Sequence, residues 1–151
     1  MITIEIPLEP YAQQRPRFAR AGRFTKTYDA AESAAWKLAA KLHMTSSLRG
    51  IECPVFERGL VLGVRLGFYF SLPKSAHRKT IEVPAQWHIG RMDFDNLAKI
   101  VCDAATGMLW HDDRQVAHAT IDKVRVAQGG RKRGVEISVW ELPDYPEREE
   151  R

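Results

Sequence analysis

Cysteine is scarce in this chain, and its spacing excludes two common kinds of small fold. The 151-residue sequence contains Cys53 and Cys102 and has no CxxC pair. A disulfide framework or a structural zinc site needs more cysteines at closer spacing. We therefore expect both thiols to be small buried groups in a protein from a reducing compartment.

Long apolar runs are also missing, and no stretch approaches the length of a membrane-spanning helix. Residues 1–6 include an acid and lack the positively charged start of a signal peptide. No serine has a histidine and an acid nearby in a nucleophile pattern, and the histidines lack metal-ligand spacing. These absences predict a cytoplasmic protein without a serine-hydrolase site.

Positive charge is in excess and is unevenly distributed. The formal net charge of +4 and the pI of about 9.2 favour an anionic partner only weakly. The distribution is more informative, because basic residues crowd residues 15–26 with no acid before Asp29, and a second group lies at residues 123–133. Aromatic residues interleave with the first group, a pattern typical of nucleic-acid contact or of a solvated loop whose rings anchor to the core.

Apolar periodicity predicts one small α+β domain. Alternation predicts strands at residues 2–6, 60–70, 116–126 and 135–142. Helical spacing predicts helices at residues 30–44 and 96–108. The predicted apolar stripe of the first is Ala35, Leu38, Ala39 and Leu42, and that of the second is Leu97, Ile100, Val101, Ala104 and Met108. Residues 9–28 are expected to form an irregular segment or a loose hairpin. This order predicts a mixed sheet with two main helices over residues 1–143, followed by a charged tail over residues 144–151.

The most informative segment is Asp93-Phe94-Asp95-Asn96-Leu97-Ala98-Lys99, which Trp110-His111-Asp112-Asp113 follows. Residues two apart in an extended segment point to one side, so Asp93 and Asp95 can face one ion. Asp95 is also placed to cap the following helix, and Lys99 lies one turn beyond it. A turn at Gly107 can bring one acid of the second segment towards the first pair.

Carboxylate oxygens at this spacing suit Mg²⁺ or Mn²⁺. Such an ion polarises a phosphodiester and lowers the pKa of a bound water, while a nearby lysine binds the phosphate. The alternative for each piece is structural, because an aspartate pair also caps helices and an Asp-Asp pair also forms turns. Because the two acidic segments and Lys99 occur together in a basic chain, they favour a metal-dependent nuclease.

The acidic segments resemble the signature of the RusA family of Holliday junction resolvases, which phages and prophages often carry. That signature is D-x-D-N-L-x-K, an apolar helix with an internal D-A, then D-D-x-Q-[IV], and a lysine in the next strand. The chain matches it at residues 93–99, 103–104 and 112–116, and Lys123 fits the last position. Residues 14–17 and 73–75 resemble flanking elements of phage members. Met92 departs from the proline or basic residue that many relatives have before the first aspartate.

The resemblance implies a RusA-like homodimer that binds four-way DNA junctions and cuts two strands symmetrically with Mg²⁺, in a bacterial or phage-infected cell. Mn²⁺ is a possible substitute, and no organic cofactor is implied. The implied metal ligands are Asp93, Asp95 and Asp113, with the role of Asp112 left open and Lys99 as the functional lysine. The residues that we expect to contact DNA phosphates are Arg15, Arg17, Lys26, Lys74, Arg91, Lys99 and Lys123.

Other functions stay open at this point. A nuclease for flaps or other branched DNA would use the same residues. A non-catalytic DNA-binding protein would use the acids only as caps and ion-pair partners. A small-molecule phosphohydrolase, the most remote alternative, would need a closed pocket rather than an extensive basic surface.

Overall fold

A computed structural model describes residues 1–15, 17–28 and 30–145, with only the backbone described for residues 17–21 and 24–28. The elements in chain order are β1 (Ile2–Ile6), β2 (Arg17–Ala21), β3 (Phe24–Tyr28), α1 (Ala31–Ser47), β4 (Leu62–Phe70), β5 (Gln86–Trp87), α2 (Phe94–Ala105), β6 (Val116–Arg125) and β7 (Gly134–Glu141). Most of the predicted tail lies outside the described residues. Neither described helix combines the length and the apolar character that crossing a bilayer requires.

A five-stranded mixed sheet with the order β1-β7-β4-β6-β5 carries the fold. Its central strand β4 pairs antiparallel with β7 and parallel with β6. Leu62, Val64, Leu66 and Phe68 on β4 are each no more than 1% exposed. These alternate residues share one face of the strand, and Arg65 on the other face is exposed, as expected for a central strand that helices cover on one side. The prediction of a small α+β domain with a mixed sheet and two helices is confirmed.

Strands β2 and β3 agree with what the sequence predicts, whereas strand β5 was not predicted. Strands β2 and β3 pair antiparallel, so residues 9–28 contain the loose hairpin that was expected. The edge strand β5 was not predicted, because two residues are too short to show a period. It joins the sheet through the pairs Gln86↔Arg125 and Trp87↔Val124. This short strand leads the chain towards the start of α2.

Helix α2 buries four of the five residues of the predicted apolar stripe, whereas Met108 lies half-buried beyond its end. Leu97, Ile100, Val101, Ala104 and Ala105 are 0% exposed. The helix begins at Phe94, so Asp93 occupies the N-cap position and Asp95 lies in the first turn. The prediction that Asp95 caps the helix was therefore wrong, because two aspartates in one short segment are equivalent as candidate caps. The helix ends at Ala105, before the turn that Gly107 makes with a φ of 82°.

Helix α1 is present as predicted, but a different face of it is buried. Trp36, Ala40 and Met44 face the core, whereas Leu38 is 62% and Leu42 65% exposed. The predicted stripe was wrong because this alanine-rich helix offers two apolar stripes. The stripe that contains Trp36 and Met44 is the one that packs against the core. The Trp36 side chain is also held there by a hydrogen bond, which its Nε1 donates to the Glu9 carbonyl at 3.0 Å.

The two cysteines differ in their surroundings. Both are free, but Cys53 is exposed, so the expectation that it is buried was wrong. Cys102 is half-buried on α2, and burial raises the pKa of its thiol to about 11. This thiol therefore stays protonated at neutral pH and behaves as a small apolar group.

Two substitutions on α1 test which of its faces is buried. Met44→Ala, at a side chain that is 0% exposed, is expected to lower the free energy of unfolding by about 2–5 kcal/mol. Leu42→Ala, two residues away and exposed, is expected to change it by no more than about 0.5 kcal/mol. Urea denaturation followed by circular dichroism measures both. The reverse order of the two effects would contradict the observed packing of α1.

Candidate active site

The start of α2 presents two carboxylates to solvent. Asp93 has an extended backbone, with φ −69° and ψ 141°, and its side chain makes no capping hydrogen bond. Asp95 lies in the first helical turn, and both side chains are exposed. In the described part of the chain, no hydrogen bond or ion pair engages either carboxylate. Both are therefore available to a ligand from outside.

The Arg15 segment runs beside this helix start. The backbone N–H of Gln13 donates to the Asn96 carbonyl at 3.0 Å, and that of Gln14 donates to Ser33 Oγ at 3.2 Å. These bonds place the exposed Arg15 near the first turn of α2. The backbones of Arg17 and Lys26 lie in the β2–β3 hairpin, while their side chains are outside the described residues. One cationic residue from a separate part of the chain, Arg15, thus lies near the turn that carries Asp95.

Lys123, which was predicted to contact phosphate, is tied to the segment that precedes Asp93. Its Nζ donates to the Met92 carbonyl at 2.5 Å, and its own carbonyl accepts from the His88 N–H at 2.9 Å. Sequence reasoning missed this contact because the acceptor is a backbone atom. The structure accounts for the contact through the register of β6, in which Lys123 lies opposite the buried Phe68.

The other end of α2 carries a second acidic group. Asp103, Thr106, His111, Asp112 and Asp113 line an open pocket of about 330 Å³. The turn at residue 107 and the bridge between residues 106 and 110 return the chain to the end of α2. The charges of Asp113 and Asp103 add to the effect of burial in raising the pKa of Cys102. Asp113 therefore lies beside Asp103, a residue that was not among the predicted ligands.

The predicted set of three carboxylates is not assembled around one point. Eight residues separate Asp95 from Asp103 along α2, a rise of about 12 Å. Within the described residues, no group of three or more histidine, cysteine, aspartate or glutamate side chains is close enough to hold a metal ion. Mg²⁺ commonly uses only one or two carboxylates, with waters and substrate phosphate completing its shell. The Asp93–Asp95 pair fits that donor chemistry by itself, and Asp113 as a ligand stays a prediction.

Asp112 accepts several hydrogen bonds from Arg114, which sets it apart from the exposed Asp113. Arg114 Nε donates to Asp112 Oδ1 at 2.9 Å and Arg114 Nη2 donates to Oδ2 at 2.8 Å. The backbone N–H of Arg114 also donates to Oδ1, at 2.9 Å. These bonds hold the pKa of Asp112 well below its usual range. The Asp112 carboxylate therefore stabilises the turn, while that of Asp113 is exposed.

Gln115 fixes the same turn from the other side. Its Oε1 accepts from the His111 N–H at 2.9 Å, and its Nε2 donates to the Glu57 carbonyl at 2.8 Å. The side chain thus links the turn to the loop before β4. The D-D-x-Q pattern has a structural explanation here, because its first aspartate and its glutamine hold the backbone that presents Asp113.

Several predicted phosphate contacts are exposed cations. Lys99 lies on α2 between Asp95 and Asp103, yet Asp103 pairs with Lys37 of α1, at 3.7 Å. Lys74 begins a short 3₁₀ turn, and Arg91 precedes Met92. In the described ranges, Lys99, Lys74 and Arg91 form no side-chain ion pair, and all three are exposed. Their charges are available to an anion.

Among the described residues, Asp93, Asp95 and Lys99 are thus exposed charged groups at or near the start of α2, and no ion pair engages them. Carboxylates beside a lysine are groups with which nucleases act on phosphodiesters. A family model described as endodeoxyribonuclease RusA matches residues 7–139. The chain belongs to the RusA endodeoxyribonuclease family, which confirms the resemblance and implies nuclease activity. A comparison with curated proteins found no match.

Titration of the Asp112 carboxyl tests its contact with Arg114. Because the pKa of Asp112 is lowered in the folded state, this contact stabilises the fold above the ordinary aspartate pKa and loses that effect as the pH falls through the lowered pKa. Arg114→Ala is expected to raise the pKa of Asp112 towards about 3.9. Carboxyl-carbon NMR titration measures it, with Arg49→Ala as a control at an exposed arginine. An ordinary Asp112 pKa in the unsubstituted protein would contradict the contact.

Proposed function

We propose that this chain is a Mg²⁺-dependent endonuclease that resolves Holliday junctions by paired, symmetric cleavage. Family membership supports the nuclease chemistry. The observation that carries the metal dependence is the exposed Asp93–Asp95 pair, which no other described group engages. Without a metal ion, two free carboxylates would repel the DNA phosphate that has to be cut.

The proposal assigns a role to each group around the helix start. Asp93 and Asp95 would hold Mg²⁺. Asp113 is kept as the predicted third ligand, although the structure does not bring it together with this pair. When bound, the ion supplies a polarised phosphodiester and a water of lowered pKa. Lys99, one turn along α2, would neutralise charge on the scissile phosphate. Mn²⁺ has the same preference for oxygen ligands and would substitute for Mg²⁺.

The exposed cations around the site support binding of a DNA backbone. Arg15 lies near the first turn of α2, and Arg91 lies two residues before Asp93. Lys74 is exposed on its own turn, and Arg17 and Lys26 belong to the hairpin next to Arg15 in sequence. Arginine and lysine contacts to phosphate position a protein on DNA without reading its sequence. Recognition of a branched shape suits such a set of contacts.

A homodimer completes the proposal. Two cuts at symmetry-related positions in a four-way junction require two active sites in a fixed relation. A two-fold axis between identical chains provides that relation with a single interface. We therefore propose that the active form contains two copies of this chain, each with its own Asp93–Asp95 pair.

Substitution of Asp95 tests the metal site. Asp95→Asn is expected to reduce the cleavage of a synthetic four-way junction in Mg²⁺ by more than about 100-fold, since it removes a charged ligand. Binding of the junction in EDTA is expected to persist, because phosphate contacts supply that affinity. Gel analysis of end-labelled strands measures both the rate and the positions of the cuts. Asp144→Asn, at an exposed aspartate beyond β7, is the matched control.

A linear duplex and a flap substrate distinguish the proposal from its alternatives. Paired nicks at symmetric positions in the junction alone support a resolvase. Equal cutting of flaps would retain the metal site but replace the resolvase by a general branched-DNA nuclease. Junction binding without cleavage in Mg²⁺ or Mn²⁺ would refute the enzyme and leave a non-catalytic DNA-binding protein.

The acid pair after α2 gives a second test. Asp113→Asn is expected to lower the cleavage rate at least about 10-fold, since it removes an exposed carboxylate that the proposal assigns to the metal. Asp112→Asn is expected to retain most activity, because the asparagine oxygen can still accept the Arg114 backbone N–H that holds the turn. Single-turnover cleavage at saturating Mg²⁺ compares the two. Greater loss in Asp112→Asn would reverse the assignment.

A further inference from the structure

The connection between β5 and α2, residues 88–93, is held against β6 at both ends. At its start, the His88 N–H donates to the Lys123 carbonyl at 2.9 Å, directly after the β5–β6 pairs. At its end, the Met92 carbonyl accepts from Lys123 Nζ at 2.5 Å. One residue of β6 therefore binds both ends of the connection, once through its backbone and once through its side chain.

The side chain of Lys123 points to the side of the sheet that the helices cover. Lys123 is paired with Phe68 in the parallel β4–β6 register, and Phe68 is 0% exposed. Directly paired residues of neighbouring strands project to the same face of a sheet. Lys123 is accordingly half-buried, unlike the exposed Lys74 and Lys99. An ammonium in such a place needs a hydrogen-bond acceptor, which the Met92 carbonyl provides.

The middle of the connection is also tightly packed. The His88 ring stacks on Phe70 with a centroid distance of 4.0 Å and an interplanar angle of 30°. A Cβ placed on Gly90 would lie 2.3 Å from His88 Nε2. Because Phe70 confines the imidazole, the ring has little freedom to give way. A methyl group at position 90 therefore pushes the connection and this ring apart.

We infer that Lys123 is a positioning residue, which holds the Met92 carbonyl and thereby fixes the backbone from which Asp93 presents its carboxylate. The acceptor of this hydrogen bond, Met92, directly precedes Asp93, which is the N-cap residue of α2. Loss of the bond would therefore let the backbone before Asp93 move. This inference rests on the proposed function of Asp93. It differs from a direct contact with DNA phosphate, in which the ammonium would have to leave Met92 and reach solvent.

The two roles predict different measurements. A lysine that contacts phosphate contributes about 0.9 to the slope of log Kd against log salt for duplex arms. A lysine that positions a ligand leaves that slope unchanged and lowers the cleavage rate of the bound complex. Misplacement of a reacting group by about 1 Å costs about 100-fold in rate.

Three variants separate these roles. Lys123→Met removes the ammonium but keeps a linear chain, and Lys123→Arg keeps charge and donors. Gly90→Ala changes no charge but forces the connection away from His88. Lys132→Met, at an exposed lysine of the β6–β7 turn, is the matched control for loss of one positive charge. Thermal melting by circular dichroism establishes that each variant is folded at the assay temperature.

Each variant is assayed for junction Kd over a range of salt in EDTA, for single-turnover cleavage at saturating junction, and for amide hydrogen exchange in residues 88–97. Positioning predicts that Lys123→Met and Gly90→Ala both cleave about 100-fold more slowly with an unchanged salt slope. It predicts faster exchange in both, and recovery of at least about 10-fold in rate in Lys123→Arg. Lys132→Met is expected to cleave at the unsubstituted rate.

A salt slope reduced by about 0.9 in Lys123→Met, with unchanged hydrogen exchange, would overturn the inference and assign Lys123 to phosphate contact. Normal cleavage by Gly90→Ala despite faster exchange would overturn it as well. If the unsubstituted protein does not cleave junctions at all, the proposed function fails. The exchange and salt measurements in EDTA then still decide whether Lys123 holds the connection.

Discussion

Burial of one face of α2 against the sheet is the constraint on which the rest of the site depends. Leu97, Ile100, Val101 and Ala104 are all 0% exposed, and each such side chain contributes on the order of 1 kcal/mol or more to folding. Because this face is fixed, the opposite face is fixed too. It presents Asp95 at the first turn and leaves the last turn next to the segment that returns from Gly107. The apolar contacts of the helix thus fix where its two ends lie, and hydrogen bonds then hold the segments that carry Asp93 and Asp113.

Elements with a single apolar pattern were predictable, and elements with two were not. The α2 stripe and the alternation of β4 each admit one buried face, and each was predicted. Helix α1 is rich in alanine, so a stripe through Leu38 and Leu42 and a stripe through Trp36 and Met44 both fit a helical period. Only the packing in three dimensions decides which of the two stripes is buried. Strand β5 consists of two residues and owes its existence to pairing with β6 rather than to its own sequence.

The residue types of the candidate site were predictable from spacing, but the contacts among them were not. Asp93 and Asp95 stand together because they are neighbours in sequence. By contrast, the bond from Gln13 to Asn96 joins distant segments through backbone atoms, which no side-chain pattern records. The same holds for Lys123 and Met92. The placement of Asp113 beside Asp103 depends on the turn at residue 107. The spacing of the acids in the sequence did not show which other acid Asp113 would lie beside.

Charge alternates along the exposed side of α2, and this alternation limits how a phosphate reaches the site. Asp95, Lys99 and Asp103 follow one another at intervals of one turn, with Asp93 before them and Asp113 beside the last. A phosphate at Lys99 therefore has carboxylates on both sides, although the whole chain carries a net charge of +4. On the proposed function, cation binding by the first pair of acids removes that repulsion on one side. Metal and DNA then favour each other's binding, because each compensates charge that the other would leave unpaired.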